Sequence, residues 1–252
     1  MSHRRARHLN PKHAGATVVL DSRFLSGFAN GDPVGTWAGR GASSGTATGT
    51  ARPTYQDGSS DKIGGNAVVK FDGSNDLVAI DSTGLAVFKN AASGLLLFVG
   101  VDDNVSGGAT SGHTYVYFSN NITSARLGIE YVKSTSKLLT GARRIDGDSA
   151  VSVTANGSAS SPFIASSLAN WSGNSLVLSV NGSPGSSVAF SSGGGSTSNT
   201  NSSLARIGAY LTGTDFMPGR ACQVLAISPA PSSPCIKRLN HSAAFSFKIQ
   251  CN

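Results

Sequence analysis

Acidic residues are scarce in this chain. Of its 252 residues only 13 are Asp or Glu, and a single glutamate, Glu130, occurs. Retaining glycoside hydrolysis by the usual route needs two carboxyl groups about 5–5.5 Å apart. A strand would have to carry Glu-x-Asp-x-x-Glu to set such acids on one face by its two-residue alternation. That motif is absent, and Gly128, Ile129, Tyr131 and Val132 around Glu130 supply no second acid. Asp102-Asp103 would point to opposite faces of a strand, and Asp146 with Asp148 brackets a turn, so neither pair reads as a catalytic dyad. His-Glu-x-x-His and paired Cys-x-x-Cys are missing, and His113 and His241 stand isolated. Enzymatic activity is not expected.

Cysteine is scarce and odd in number, with Cys222, Cys235 and Cys251 all near the end. Three residues cannot complete a disulfide framework. Reduced thiols, as in a chain assembled in a cytosol, are expected, with a Cys222–Cys251 bridge as the alternative. Long apolar runs are lacking too: the best, Gly94 to Val101, falls short of the roughly 18 residues of a membrane span. The apolar stretch Ala14 to Leu20 is interrupted by Gly15 and Thr17, so neither a secretory signal nor a membrane partner is expected. Aromatics make up 7% of the chain, which puts most of Trp37, Trp171, Tyr115, Tyr117, Tyr131 and Tyr210 in the core.

What is present is glycine, 31 residues of it, with Ser, Thr and Asn between short apolar runs. That composition suits many strands joined by tight turns. Ala16 to Leu20 reads as a strand, and the Gly/Ser/Thr stretch Gly39 to Thr50 as an exposed loop. Further strands are predicted at Ala67 to Phe71, Leu77 to Ile80, Gly94 to Val101, His113 to Phe118, Ala125 to Val132, Lys137 to Ile145 and Ala150 to Thr154. Ser175 to Val180 and Ser187 to Phe190 form a hairpin through Asn181 to Gly185, and Leu204 to Ala209 and Ala221 to Ile227 complete the set. A helix is predicted from Ser232-Ser233-Pro234, with Ile236, Leu239, Ala243 and Ala244 near 3.6-residue spacing. Phe245, Phe247 and Ile249 then read as an extended or packed tail.

The net charge of +7 is uneven, because Arg4, Arg5, Arg7 and Lys12 precede any acid. Residues 1–15 therefore read as a basic arm before one domain, residues 16–252. Such an arm attracts nucleic acid or an acidic protein surface, or is a solvated terminus. Asp72, Asn75 and Asp76 crowd hard oxygens around a glycine-containing turn, as calcium or sugar hydroxyls would require; the same residues also favour turn geometry for its own sake. Tyr115 and Tyr117, two apart in a strand, share one face by alternation and could stack on a sugar.

Several segments carry a family resemblance. Leu20-Asp21-Ser22, Asp32-Pro33-Val34-Gly35-Thr36-Trp37, Arg52-Pro53-Thr54-Tyr55 and the run from Gly65 to Asp76 resemble, in order, the first half of phage-type laminin-G-like, concanavalin-A-like modules. Leu178 to Gly182, Arg206-Ile207-Gly208-Ala209, Gly219 to Leu225 and Ile236 to Phe245 are similar to the second half. The resemblance covers about residues 16 to 249. It implies an all-β fold, a two-sheet antiparallel β-sandwich (jelly roll) with a short C-terminal helix. Cys222-Gln223 stands where the family often carries an acid, and nothing matches the laminin calcium site, so no cofactor is expected beyond the calcium alternative above.

For function the resemblance implies a phage virion structural protein, a head-decoration, head-fibre or tail-associated component. Its arm would dock on other virion proteins, and a homo-oligomer displayed on the virion is expected. The alternative is a lectin module that binds host-surface glycans, with a glycosidase third.

Overall fold

The computed structural model describes residues 11–103, 112–119, 127–145, 148–190, 195–198, 204–210 and 214–251. Along the chain run β1 (Ala16–Asp21), β2 (Thr36–Trp37), β3 (Gly45–Thr46), β4 (Thr54–Gln56), β5 (Val68–Asp72) and β6 (Val78–Ile80). A short α1 (Ser82–Leu85) leads to β7 (Ser93–Asp102), β8 (His113–Phe118), β9 (Leu127–Val132), β10 (Lys137–Ala142) and β11 (Val151–Ala155). Then come β12 (Phe163–Asn170), β13 (Ser175–Val180), β14 (Ser183–Val188), β15 (Ala205–Ile207), β16 (Pro218–Ile227) and α2 (Ser233–Phe247).

The strands form two antiparallel sheets. The first has the order β14-β13-β12-β7-β16-β5-β4, with β1 also paired to β16; the second has the order β11-β10-β9-β8-β15-β6-β3-β2. The fold is thus an all-β sandwich with a C-terminal helix, as the sequence implied. Its core lies between the sheets, around Trp37, Phe71, Phe98, Tyr115, Phe118 and Trp171.

β7 explains why a helix is needed. Its run of apolar residues is buried on both faces: Leu96 and Phe98 point into the sandwich, while Leu95, Leu97, Val99 and Val101 point outward. α2 covers that outward face with Leu239, Ala243, Ala244 and Phe247. An alternating strand can leave one face to water, but a continuously apolar one must be covered twice. Among the described residues no helix is long and apolar enough to cross a membrane.

The structure corrects several expectations. Residues 39–50 are not a bare loop: β3 pairs with β6, and Ser43 and Ala47 are buried. Gly41 is required there, since a Cβ would lie 2.3 Å from the carbonyl oxygen of Thr17. The hairpin predicted through Asn181 to Gly185 turns on Asn181-Gly182 alone, both at positive φ (50° and 82°), so β14 begins at Ser183 and holds Pro184 in an edge strand. α2 runs on to Phe247, so Phe245 and Phe247 are helical, and Phe245 is 73% exposed. β12, which alternation did not reveal, is central to the first sheet. The predicted arm residues Arg4, Arg5 and Arg7 lie outside the described residues, and Lys12 falls in a short 3-10 turn, Pro11–Ala14.

Candidate functional site

With α2 on the first sheet, the apolar clusters of the described residues lie between the sheets and beneath the helix, and neither lies on the outer face of the second sheet. Cross-strand partners share a face, so pairing assigns that surface residue by residue. One row reads Ser152, Gly141, Gly128, Tyr117, Arg206, Ala79, Thr46 and Thr36 across six adjacent strand pairs and one further pair at the edge. The next row reads Thr154, Leu139, Glu130 and Thr114. The face is therefore polar, with hydroxyls, one carboxylate and one guanidinium around a tyrosine.

Local chemistry shapes its centre. Gly128 has no side chain to fill the space beside Tyr117, and a Cβ there would meet the Tyr117 ring at 2.4 Å. The ring folds over that gap and packs edge-on against Tyr210, with centroids 5.0 Å apart. Arg206 projects beside them and donates from Nη1 to the Tyr210 carbonyl at 3.2 Å. Partial burial draws its guanidinium pKa below the ordinary value, because the charged form loses solvent. Glu130, Arg206 and Tyr210 are half-buried, open enough to meet a ligand and packed enough to hold their positions.

The two predicted stacking residues do not share this face. A bulge between Thr114 and Val116 breaks the alternation of β8. Tyr115 turns into the core and stacks on Phe98 at 5.0 Å, while Tyr117 faces outward. Both are fully buried, so neither ring presents a bare stacking surface. Sequence reasoning passed over Arg206 as a site residue and named Tyr210 only among the aromatics expected mostly in the core. The signal available was Arg206 alternating with buried Ala205 and Ile207, but alternation alone does not say which sheet face it meets.

Asp72, Asn75 and Asp76 do come together, in the turn between β5 and β6, where one oxygen of each aspartate is already engaged. Asp72 Oδ1 accepts from the backbone N–H groups of Ser74 (2.8 Å), Asn75 (3.2 Å) and Asp76 (3.4 Å), and Asp76 Oδ2 from that of Asp72 (2.8 Å). Burial, with Asp72 nearby, pushes the Asp76 carboxyl up to about 6. Among the described residues no three His, Cys, Asp or Glu side chains form a metal-binding group.

The carboxylates set aside in sequence behave differently from one another. Asp103 is held by Arg220, whose Nε and Nη2 donate to it at 3.0 and 2.6 Å. Asp102 is buried, and His113 is not isolated: its Nδ1 lies 2.6 Å from Asp102 Oδ2, which also accepts from the Tyr115 hydroxyl at 3.0 Å. Burial and Asp102 together hold the Tyr115 phenol well above its ordinary pKa. Residues 41–45 spell Gly-x-Ser-x-Gly, the spacing of a hydrolase nucleophile elbow. Ser43, however, is 4% exposed and engages Asp81 and the Ser44 carbonyl, not a histidine. Cys222, Cys235 and Cys251 are free thiols.

No family model matches the chain, and no curated protein matches it. Solved structures do. The binding domain of botulinum neurotoxin serotype G aligns with a TM-score of 0.57 at 11% identity, over 90% of this chain and 51% of that one. The CBM40 of the Ruminococcus gnavus IT-sialidase, bound to alpha2,3 sialyllactose, aligns at 0.51 and 9% identity, over 69% and 92%. The Trypanosoma rangeli sialidase in complex with 2,3-difluorosialic acid aligns at 0.52 and 15%, over 92% and 33%. The chain thus spans about half or less of the neurotoxin and sialidase chains but nearly all of the CBM40. At these identities the likeness is one of fold alone, a two-sheet β-sandwich.

Proposed function

We propose that this chain is a carbohydrate-binding, lectin-like module, and that its glycan surface is the outer face of the second sheet, at the half-buried Tyr210, Glu130 and Arg206. The observation that carries the reading is the asymmetry of the sandwich: one outer face is apolar and sealed by a helix, the other polar, part of neither apolar cluster, with Glu130, Arg206 and Tyr210 half-buried on it. Sugar recognition uses that chemistry, hydroxyls bonded by charged and amide groups with apolar ring faces laid on aromatics. The structural likeness to a CBM40 bound to sialyllactose supports the reading. An acidic sugar would suit Arg206, the one cation that pairing sets beside Tyr117.

The module acts without catalysis in this proposal. Glu130 has Leu139 and Thr114 as its cross-strand partners, neither of them an acid. It also invokes no calcium: one oxygen each of Asp72 and Asp76 already accepts backbone N–H groups in their turn.

A glycan array that includes sialylated oligosaccharides tests the reading. Binding should survive a chelator and fall about tenfold or more in Arg206→Ala and Tyr210→Ala, the cost of one charge-assisted or ring contact. Silence across the array, or binding that both variants leave intact, would sink it. Turnover that disappears in Glu130→Gln would overturn the non-enzymatic part.

The finer reading, a homo-oligomeric virion component anchored by Arg4, Arg5, Arg7 and Lys12, rests on the uncompensated charge of that arm and on the phage-type resemblance. Here glycan binding and particle display are compatible. A chain of residues 16–252 should fail to cosediment with particles, and undiminished incorporation would dismiss the anchor.

A further inference from the structure

On the side of the molecule away from Glu130 and Arg206, α2 does not close fully against the first sheet. A cavity of about 280 Å³ opens between them. Much of its lining is apolar: Val19 of β1, Leu225 of β16, and Leu239 and Ala243 of α2. A bulge in β16 between Ala221 and Gln223 turns Gln223 toward the same side. There its Nε2 donates to Asp21 Oδ2 at 2.8 Å, with Asp21 2% and Gln223 4% exposed.

The charges around this cavity do not cancel. Arg23 donates from Nε to Asp21 Oδ1 at 2.9 Å, so the buried carboxylate is answered by one guanidinium. Arg40 is the second. Its guanidinium lies 3.9 Å from the centre of the Phe24 ring, at the rim, and it makes no ion pair with any described residue. Phe24 is itself 45% exposed, which is unusual for a large apolar side chain beside an unfilled space. Two arginines against one aspartate leave one positive charge over an apolar floor. Pro11 also lines the cavity, so Arg4, Arg5 and Arg7 are tied by sequence to within seven residues of it.

We propose that this cavity binds a small organic anion with an apolar body, of the class of a medium-chain carboxylate. The head group bonds Arg40, and the hydrocarbon lies along Leu225, Leu239 and Ala243. The chemistry follows from the lining: an uncharged apolar molecule leaves Arg40 unanswered, and an inorganic anion leaves the floor wet. At about 280 Å³ the cavity lies just under the roughly 300–1,000 Å³ of usual ligand pockets, so only a small molecule fits. This site is separate from the glycan surface and does not depend on it.

Octanoate is the probe, titrated into the full chain by calorimetry, with octan-1-ol as the neutral counterpart. Saturable one-to-one binding of octanoate is expected, at least about tenfold tighter than octan-1-ol and weakened about tenfold by Arg40→Ala, the loss of one charge-assisted contact. Arg40 is exposed, so that variant does not threaten the fold. Ser246→Trp, on the helix wall of the cavity, should abolish binding by filling the space. Both variants should keep the glycan binding of the other face. The proposal is overturned if octan-1-ol binds as well as octanoate, if Arg40→Ala binds unchanged, or if no saturation is seen below about 10 mM, beyond which affinity is too weak to be specific.

Discussion

Asp76 closes the β5–β6 turn with its side chain 5% exposed and its carboxyl pKa pushed up to about 6. An acid whose folded pKa exceeds its unfolded value, near 4, binds its proton more tightly when folded. Its favourable contribution is therefore fully present below pH 4 and is lost as pH rises through about 6. Asp76→Asn keeps an oxygen to accept from the Asp72 N–H and removes the titration. Urea midpoints measured at pH 4.5 and 7.5 should show the wild type losing stability relative to this variant over that interval. Parallel profiles for the two proteins would refute the assignment. The thiols differ as sharply. Cys222 is fully buried, and burial drives its pKa far up, whereas Cys235 and Cys251 are half-buried. Since the thiolate is the reactive form, a thiol reagent should modify at most two cysteines in the native protein and all three in denaturant. Three fast-reacting native thiols would contradict the burial of Cys222.

Two elements set the character of the two outer faces. In β8 the bulge at Tyr115 rotates the following residues by one place, so Tyr115, Val116 and Phe118 all enter the core while Tyr117 leaves it. Without that extra residue, Tyr117 would bury with Tyr115 and the second sheet would lose its outward aromatic. In α2 the apolar stripe seals the first sheet, and its members differ in what they bury. Leu239 is 2% exposed beneath the helix, so Leu239→Ala should cost about 2–5 kcal/mol, the usual range for a buried leucine. Phe245 is 73% exposed, so Phe245→Ala should stay within about 0.5 kcal/mol. Chemical denaturation of the two variants measures both, and equal losses would mean the helix is not seated by the Leu239 side.

At the scale of the whole molecule, the sandwich divides its work between faces. The first sheet is buried twice, between the sheets and under α2, and keeps a small charged cavity where the helix stands off. The second sheet has no helix on it and carries the row from Ser152 to Thr36 outward, buried at Gly141, Gly128 and Tyr117 and exposed at its ends. A glycan on one face and an organic anion on the other can therefore be bound without competing, and saturating octanoate should leave the glycan array profile unchanged.

How much of this was legible in the chain varied with the pattern each segment carries. Strands half open to water, such as Ser175–Val180, announce themselves by strict alternation, and the predicted and observed limits coincide. β12 does not. Its centre holds Ser166 and Ser167, polar yet buried, because Ser167 bonds Thr140 across the core at 2.6 Å and Ser166 bonds Asn240 of α2 at 3.4 Å. Those partners are distant in sequence, so nothing in the local pattern marked the polar pair as strand. The turn of Asp72, Asn75 and Asp76 was visible as chemistry, but its backbone bonds were not. The sequence by itself determined the all-β class, the C-terminal helix, the shortage of catalytic acids and the charge of the arm, since composition and period carry these directly. Only the tertiary structure decided that Tyr117 faces out and Tyr115 in, that Arg206 stands beside them, and that Arg40 and Phe24 rim a cavity. These depend on a one-residue bulge and on which strands become neighbours, and neither is encoded in local spacing.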